Sequence, residues 1–239
     1  MSIEDLREHY RRVWREDASH EEERAFIAAL LERHDDDVLE FHFDLLRDDQ
    51  YFYFYCSIRA AFKKHGPAAE PFLIDKVRTA DTPRLRGDAL QILGHMRSKS
   101  ARALAKELID AQVTGLRYRA VIVLGWVGTV GDMKTVLRDR LLNDPSAFVR
   151  GNAATAFRQV WYRTSRAKEP AIEILGEALE REDDDDPVGS IVITLQTIMK
   201  RRFGLREPDD GPNFVGDVDA AKARALRSVA RWRHERAND

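Results

Sequence analysis

The stretch 85-LRGDALQILG-94 decides the fold, because its pattern recurs twice without gaps, at 116-LRYRAVIVLG-125 and 149-VRGNAATAFR-158. Each copy has an aliphatic residue followed by arginine, an alanine at the fifth position and apolar residues at the eighth and ninth. Offsets of 0, 4, 7 and 8 lie on one face of a helix with 3.6 residues per turn, and they do not fit the alternation of a strand. The pattern therefore predicts three amphipathic α-helices.

A second apolar pattern precedes each copy and predicts a partner helix. Apolar residues four apart mark these first helices, and each pair ends eight residues before the next copy: Leu73 and Val77, Leu104 and Leu108, Leu137 and Leu141. The repeating unit is thus a helical hairpin of 31 to 33 residues. Repeats of this length stack, because one hairpin cannot bury its apolar face without its neighbours.

The repeat register extends in both directions. Towards the N-terminus it places Leu46 at the end of a helix over 36–48 and Phe54 at the start of the next, so the aromatic run 51-YFYFYC-56 opens a helix. Towards the C-terminus it continues through Leu175 and Leu179 and then Val188, Val192 and Leu195. We predict one domain with about five hairpins over 35–203, an N-terminal cap over 1–34, and a loop with a C-terminal capping helix over 204–239.

Three segments, 71-PFLIDKV-77, 81-DTPRLRGDALQILG-94 and 144-DPSAFVRGNAATAF-157, resemble HEAT repeats, in particular the short HEAT-like repeats of PBS-lyase type common in bacterial and archaeal proteins. They look like that family's proline-led first helix, aspartate turn, Val-Arg pair and Ala-Leu-Gly ending. The resemblance is good over about 67–160 and fair over 35–66 and 167–203. It implies an all-α, right-handed α-solenoid with a concave surface, and recognition of macromolecules more often than catalysis.

The same resemblance implies a structural role for the arginine that follows each aliphatic anchor. In HEAT repeats this arginine pairs with turn aspartates in a ladder between neighbouring repeats. By position the role falls to Arg86, Arg117 and Arg150, with Asp81, Asp110 and Asp144 in the turns. Tyr55 and Gly189 occupy the arginine position in the outer repeats, so the ladder is expected to end there.

The second helices also carry the predicted partner-binding face, at offsets -1, +3, +6 and +10 from each aliphatic anchor, away from the core. In the third copy these offsets fall on Phe148, Asn152, Thr155 and Gln159. Most of the proposed contact residues have aromatic, arginine or amide side chains. Aromatic residues and arginine are typical anchors of protein interfaces. The proposed contact residues are Tyr53, Arg84, Asp88, His95, Arg119, Trp126, Phe148, Asn152 and Gln159. The alternative for Trp126 and Phe148 is that they pack between repeats.

Motifs of enzymes are missing from the sequence. It has no phosphate-binding glycine loop, nucleophile elbow or HExxH motif, so we predict no catalytic residue, metal site or cofactor. The single cysteine, Cys56, excludes an internal disulfide and is interpreted as a packing residue. The chain has no apolar run of ~20 residues and no secretory signal at its start, which predicts a cytoplasmic protein without a membrane partner.

Charge is distributed unevenly along the chain. The net charge is -9 over residues 1–50, +11 over 51–170 and -4 over 171–239, although the total is only -2. A basic middle attracts an anionic partner, either nucleic acid or an acidic protein face. In the alternative, the acidic ends fold back and neutralise the middle.

Two functions follow from these patterns. The first is a non-catalytic protein-binding solenoid, such as an adaptor, an inhibitor or an immunity protein, that engages a partner through its concave face and basic middle. The second is a nucleic-acid-binding protein similar to the alkylpurine DNA glycosylases built from HEAT-like repeats. There, Trp126 and Tyr53 would contact bases or sugars, Asp88 would be the catalytic carboxylate, and central Arg and Lys residues would bind phosphate.

Overall fold

The computed structural model describes residues 1–15, 17–208 and 214–238. Within these ranges the regular structure is helical, apart from one antiparallel bridge between Arg206 and Val215. In chain order the α-helices are α1 (Ile3–Val13), α2 (His20–Leu30), α3 (Asp36–Asp44), α4 (Phe52–Phe62), α5 (Glu70–Thr79), α6 (Pro83–His95), α7 (Ala101–Leu108), α8 (Thr114–Val127), α9 (Val130–Asp132), α10 (Arg138–Asn143), α11 (Ala147–Arg163), α12 (Lys168–Arg181), α13 (Asp185–Met199) and α14 (Val218–Ala237).

These helices form two compact units, Met1–Leu104 and Ala105–Asp239. In the first unit, α5 packs against α6, and α4 contacts α6. In the second unit, α8 packs against α11 and α11 against α13, while α10 and α12 pair with α11 and α13. Helices thus pack on their sequence neighbours and on the equivalent helix of the next hairpin. The all-α class is confirmed, and the sequential packing is consistent with an α-solenoid, whereas the single domain stays a prediction.

The predicted core positions of the second helices are all buried. At most 4% of each side chain is accessible to solvent at the following residues: Phe54, Ile58, Ala61, Phe62, Leu85, Ala89, Ile92, Leu93, Leu116, Ala120, Val123, Leu124, Val149, Ala153, Ala156 and Phe157. Burial of one such leucine or phenylalanine contributes about 1.5–3 kcal/mol. The 3.6-residue period of the sequence is therefore also the period of the core.

One first helix departs from the predicted regularity. The pair Leu137 and Leu141 lies in a segment where α9 passes through a π-helical turn, Met133–Leu137, into α10. Both leucines remain buried. The π-helical turn changes the local backbone pattern without exposing the apolar face that the sequence predicted.

The chain ends carry the predicted helices. Leu6 and Val13 of α1 are buried, and each of α1 and α2 begins with a serine capping box, at Ser2 and Ser19. At the other end, α14 packs against α12 and α13 through Ala221, Ala225 and Val229. Residues 209–213 of the predicted connection lie outside the described residues. No helix among the described residues has the length and hydropathy needed to cross a membrane.

Candidate functional site

In the unit Met1–Leu104, the exposed part of the predicted face is the start of α4. The side chain of Tyr53 is 83% exposed, and that of Phe52 is 64% exposed, with their ring centroids 5.9 Å apart. Tyr53 borders an open depression of about 570 Å³ that Cys56, Ser57 and Ala60 also line. The structure therefore places Tyr53 where a partner has free access to it.

The prediction for Asp88 is wrong, because this residue is fully buried. Tyr55 donates its hydroxyl proton to Asp88 Oδ2 over 2.7 Å, and Arg59 Nη1 lies 3.3 Å from Oδ1. A buried carboxylate needs such partners, and here they come from the preceding repeat. Asp88 therefore links two repeats and is inaccessible to a substrate or a partner. Tyr55, where the ladder was expected to end, continues the link between repeats through its hydroxyl group.

Arg84 and His95 lie at the two ends of α6. The guanidinium of Arg84 donates to the carbonyl of Arg47, lies 3.6 Å from a carboxylate oxygen of Asp49, and covers the ring of Tyr55. His95 is exposed at the last position of α6. Partial desolvation lowers the pKa of His95, and the nearby positive charges lower it further. Arg84 is thus held by its own unit, whereas His95 is open to solvent.

In the unit Ala105–Asp239, three predicted face positions line one cleft. It measures about 660 Å³ and lies between α11 and α13, and we call it the α11–α13 cleft. Phe148, Asn152 and Thr155 line it from α11, at the -1, +3 and +6 positions of the repeat. The other lining residues come from α11, from α13 and from the chain that follows it: Ala147, Gly151, Asp186, Ser190, Glu207, Pro208 and Phe214.

Aromatic rings form two sides of the α11–α13 cleft. Phe148 is 56% exposed, and its ring centroid lies 4.6 Å from that of Tyr118 on α8. Phe214 lies against Gly189 of α13, where an added Cβ would be only 2.1 Å from its ring. Gly189 therefore permits a ring to lie on the backbone of α13. The sequence pattern identified Gly189 only as a missing ladder arginine and gave no sign of Phe214.

The remaining predicted face residues of this unit are half-buried. Arg119 covers the ring of Tyr118, with its guanidinium carbon 5.6 Å from the centroid. Gln159 packs over Gly125 of α8, where a Cβ would meet the Gln159 side-chain oxygen. Trp126 is half-buried near the end of α8. Phe148 is thus exposed in a cleft, whereas Trp126 is half-buried, and contact of either residue with a partner stays a prediction.

The ladder arginines form the predicted kind of link in the second unit. Arg117 binds Asp144 of the next repeat through two hydrogen bonds, of 2.8 and 3.0 Å, and also donates to the carbonyls of Ala111 and Gln112. Burial acts to raise the pKa of Asp144, but the hydrogen bonds from Arg117 and the Ser146 backbone, together with the charges of Arg117 and Arg140, hold that pKa below its ordinary value. This buried ion pair therefore joins neighbouring repeats.

Other ladder positions use different partners. Arg150 binds Glu182 over 2.6 and 2.9 Å and also binds Asp184, so its carboxylates follow α12 in the next repeat. Asp110 pairs with Arg140, while Asp81 pairs with Arg47. Arg86 donates to the carbonyl of Val77 in the preceding helix. The arginines thus join helices as expected, but the turn aspartates do not follow one repeating scheme.

Acidic residues from the chain ends neutralise part of the basic middle within each unit. In the first unit, Lys76 pairs with Glu40 and Arg84 lies near Asp49. In the second unit, Arg138 pairs with Glu177, Arg150 with Glu182, and Arg158 with Glu207. These contacts favour the alternative in which acidic segments compensate the middle, rather than a free anion-binding surface there.

Three histidines of the first unit form a hydrogen-bonded chain, a feature that the sequence reasoning missed. His42 Nε2 lies 2.9 Å from the Ile58 carbonyl and must donate to it, so its Nδ1 is left as an acceptor. His65 Nε2 donates to that nitrogen over 2.8 Å, and His65 Nδ1 accepts from His34 Nδ1 over 2.8 Å. The Ile58 carbonyl can only accept a hydrogen bond, so it fixes the direction of each hydrogen bond in the chain and thereby the tautomer of each of the three histidines.

Burial makes this histidine chain resistant to protonation. Desolvation and, to a smaller extent, the neighbouring histidine lower the pKa of His42 to about 3 and that of His65 to about 4. A proton on either residue would replace an acceptor nitrogen with a donor and break one hydrogen bond. His34 is exposed, and its Nε2 has no hydrogen-bond partner among the described residues.

The described residues offer little for metal or thiol chemistry. Among them, no group of three or more His, Cys, Asp or Glu side chains is arranged to hold a metal ion. Both ring nitrogens of His42 and of His65, and Nδ1 of His34, are engaged in hydrogen bonds with one another and with the Ile58 carbonyl. Cys56 is half-buried and reduced beside Tyr53.

The comparisons with known proteins agree with the repeat pattern. The family of HEAT repeats matches residues 70–158, close to the range of about 67–160 in which the resemblance was strongest. This part of the chain therefore consists of HEAT repeats, which are typically protein-interaction scaffolds. No curated protein matches the chain.

Proposed function

We propose that this protein is a non-catalytic protein-binding scaffold whose main docking surface is the α11–α13 cleft. The observation that carries the proposal is the meeting of Phe148, Asn152 and Thr155, predicted as face residues by the repeat, with Phe214 and Ser190 in one cleft. A cleft of about 660 Å³ with aromatic walls accepts a few side chains of a protein segment.

The chemistry of the cleft favours a particular kind of segment. Phe148 and Phe214 offer apolar contact. Asn152 donates its amide N–H to the carbonyl of Phe148, which leaves its side-chain oxygen as an acceptor. Asp186 is exposed and pairs with no cation among the described residues. We therefore propose a segment with an apolar side chain next to a lysine or arginine, rather than the acidic patch that the basic middle suggested.

Within the same proposal, Tyr53 and Phe52 are a separate contact point on the unit Met1–Leu104. Two large aromatic side chains with most of their surface in water are costly to leave exposed and are common anchors of protein interfaces. They share no residue with the α11–α13 cleft, so the two surfaces are tested separately.

The glycosylase-like alternative no longer has a candidate for its catalytic carboxylate. Asp88 is buried and bound by Tyr55 and Arg59, so it has no access to a nucleotide sugar. Trp126, proposed to contact bases, is half-buried. The geometry of these residues therefore favours protein binding over base excision.

Site-specific photo-cross-linking tests the proposal. Benzoylphenylalanine at position 155 places the reactive group in the cleft, and the same amino acid at position 162 serves as the control, because Tyr162 is 65% exposed on the same helix outside it. We expect a discrete protein adduct from position 155 and none from position 162. Equal adducts from both, or an adduct from position 162 alone, would contradict the proposal.

A further inference from the structure

A cluster of exposed basic side chains that form no ion pair with the described carboxylates lies just after the end of α13, beside α14. Lys200, Arg201 and Arg202 directly follow α13, and Arg224, Arg227 and Arg231 lie on the outer side of α14; we call these six residues the basic patch. All six are exposed. They belong to a segment with a net charge of -4, so composition alone does not indicate them.

Backbone and side-chain contacts hold the two halves of the basic patch together. Arg224 Nε donates to the carbonyl of Phe203 over 2.6 Å, and Arg201 Nη1 donates to Ser228 Oγ over 3.2 Å. Arg224, Arg227 and Arg231 follow a spacing of three and four residues, which places them in one stripe on the helix. The patch is therefore one continuous surface on a rigid support.

The basic patch differs from the other arginine clusters in its lack of carboxylates. On the opposite side of α14, Arg233 pairs with Glu173 and Glu180, and Arg236 pairs with Glu169. None of the six patch residues forms an ion pair with a carboxylate in the described part of the chain. The partial negative charge at the C-terminal end of α13 compensates about half of one positive charge of the basic patch. A surplus of roughly five charges remains for a ligand.

We propose that the basic patch binds the phosphate backbone of double-stranded nucleic acid. Five of its six cations are arginines, whose planar guanidinium groups bind phosphate oxygens through paired hydrogen bonds. The stripe from Arg224 to Arg231 spans ~10 Å along the helix axis, comparable to three phosphates along one strand of a duplex at ~3.4 Å each. Charge and spacing together match a regular polyanion.

Other polyanions fit the basic patch less well. The exposed large hydrophobic side chains of the described residues lie in α4 and α11 or at Met1, Val113 and Val215, and none belongs to α14. The apolar side of α14 is packed on α12 and α13, so it has no face to insert into a lipid surface. Single strands are usually bound on exposed aromatic rings, which the patch lacks.

Fluorescence anisotropy with a labelled DNA duplex of about 20 base pairs tests the proposal on the full chain. If five patch cations contact phosphates, affinity should fall roughly 500-fold between about 50 and 200 mM NaCl. The double variant Arg227→Glu and Arg231→Glu should weaken binding at about 50 mM salt at least tenfold and reduce the salt slope by about 2. Far-UV circular dichroism checks that this double variant, and the control double variant described next, are folded.

The matched control changes net charge equally at distant sites. Arg24→Glu with Arg166→Glu replaces two exposed arginines that have no ion pair among the described residues, and should leave duplex affinity within about twofold. Three results would overturn the proposal: no duplex binding at about 50 mM salt, equal losses in both double variants, or tighter binding to single-stranded DNA or phosphatidylserine vesicles than to the duplex. These residues are outside the α11–α13 cleft, so this proposal and the proposed function fail independently.

Discussion

Acidification should destabilise the unit Met1–Leu104 through its buried histidines well before carboxylates titrate. The pKa of His42 is about 3 and that of His65 about 4 in the folded protein, both below the ordinary value of 6.5. Below pH 6.5 the unfolded chain binds protons at both sites and the folded unit does not. Their contribution to stability is therefore complete above pH 6.5 and is lost as the pH falls towards the folded pKa values.

The expected loss follows from the size of these shifts. Each pH unit in this window lowers the free energy of unfolding by about 1.4 kcal/mol for each histidine. Between pH 7.5 and pH 5 the loss is thus about 2 kcal/mol for each residue and about 4 kcal/mol for both. Ordinary carboxylates remain mostly ionised at pH 5, so they contribute little to the change.

Urea unfolding at pH 7.5, 6 and 5, followed by circular dichroism and by the fluorescence of Trp14, measures this loss. Trp14 is the tryptophan of the first unit, so replacing Trp126, Trp161 and Trp232 by phenylalanine in all proteins makes fluorescence specific for that unit. His42→Gln keeps a donor for the Ile58 carbonyl and an acceptor for His65 but does not titrate, and should lose only about 2 kcal/mol over the same range.

His20→Gln is the matched control, because the His20 side chain is 88% exposed. It should show the wild-type pH dependence. The reasoning would be refuted if the free energy of unfolding were flat between pH 7.5 and 5. It would also be refuted if His42→Gln lost as much stability on acidification as the wild type.

Three further predictions concern the links between helices. Arg117→Ala removes the cation that binds a buried carboxylate through two hydrogen bonds and leaves only Arg140, at 3.5 Å, so it should lower the free energy of unfolding by about 3 kcal/mol. Arg138→Ala, at a half-exposed pair, should lower it by about 1 kcal/mol or less. Tyr55→Phe removes the hydroxyl bound to a buried aspartate and should cost about 1–3 kcal/mol in urea unfolding, while Tyr53→Phe on an exposed ring should cost under about 0.5 kcal/mol. Gly189→Ala would displace the ring that lies on it, at a cost of about 1–3 kcal/mol by thermal unfolding. The contacts described would be contradicted if Arg117→Ala and Arg138→Ala were equally destabilising, or if Tyr55→Phe and Tyr53→Phe were. An unchanged midpoint of thermal unfolding for Gly189→Ala would also contradict them.

The core was predictable because it depends on local periodicity. Phe54 and Leu85 are equivalent in the repeat and both are buried, and the aromatic run at 51–55 opens α4 as expected. A helix period fixes which side chains face inward, so a single sequence contains that information. The match of HEAT repeats to residues 70–158 agrees with this repeat pattern independently of the structure.

The site was less predictable because it depends on contacts between segments distant in sequence. Phe214 joins the α11–α13 cleft only because Gly189 lacks a side chain, and Asp88 is buried because Tyr55 reaches it from the preceding repeat. The histidine chain likewise joins α3, the connection between α2 and α3, and the turn after α4. Helix periodicity gives the face on which a residue lies, but not what covers that face.

The net charge of sequence segments also did not predict which cations are free to bind a ligand. Summed along the chain, the middle is basic and the C-terminal segment acidic. Arg138 and Arg150 of the middle form ion pairs, while Arg227 and Arg231 near the C-terminus form none with the residues that the structure describes. Pairing between helices, rather than the local sum of charges, decides which cations are free to bind a ligand.

Titration calorimetry with the protein captured from position 155 tests the central claim most directly. Phe148→Ser removes the exposed ring on the wall of the α11–α13 cleft, and Tyr162→Ser removes a similarly exposed ring of α11 outside it. Loss of a central aromatic anchor typically costs about 2 kcal/mol or more, so the partner should bind Phe148→Ser at least about 30-fold more weakly. Binding to Tyr162→Ser should stay within about twofold of wild type. Equal affinity for wild type and Phe148→Ser would contradict the account.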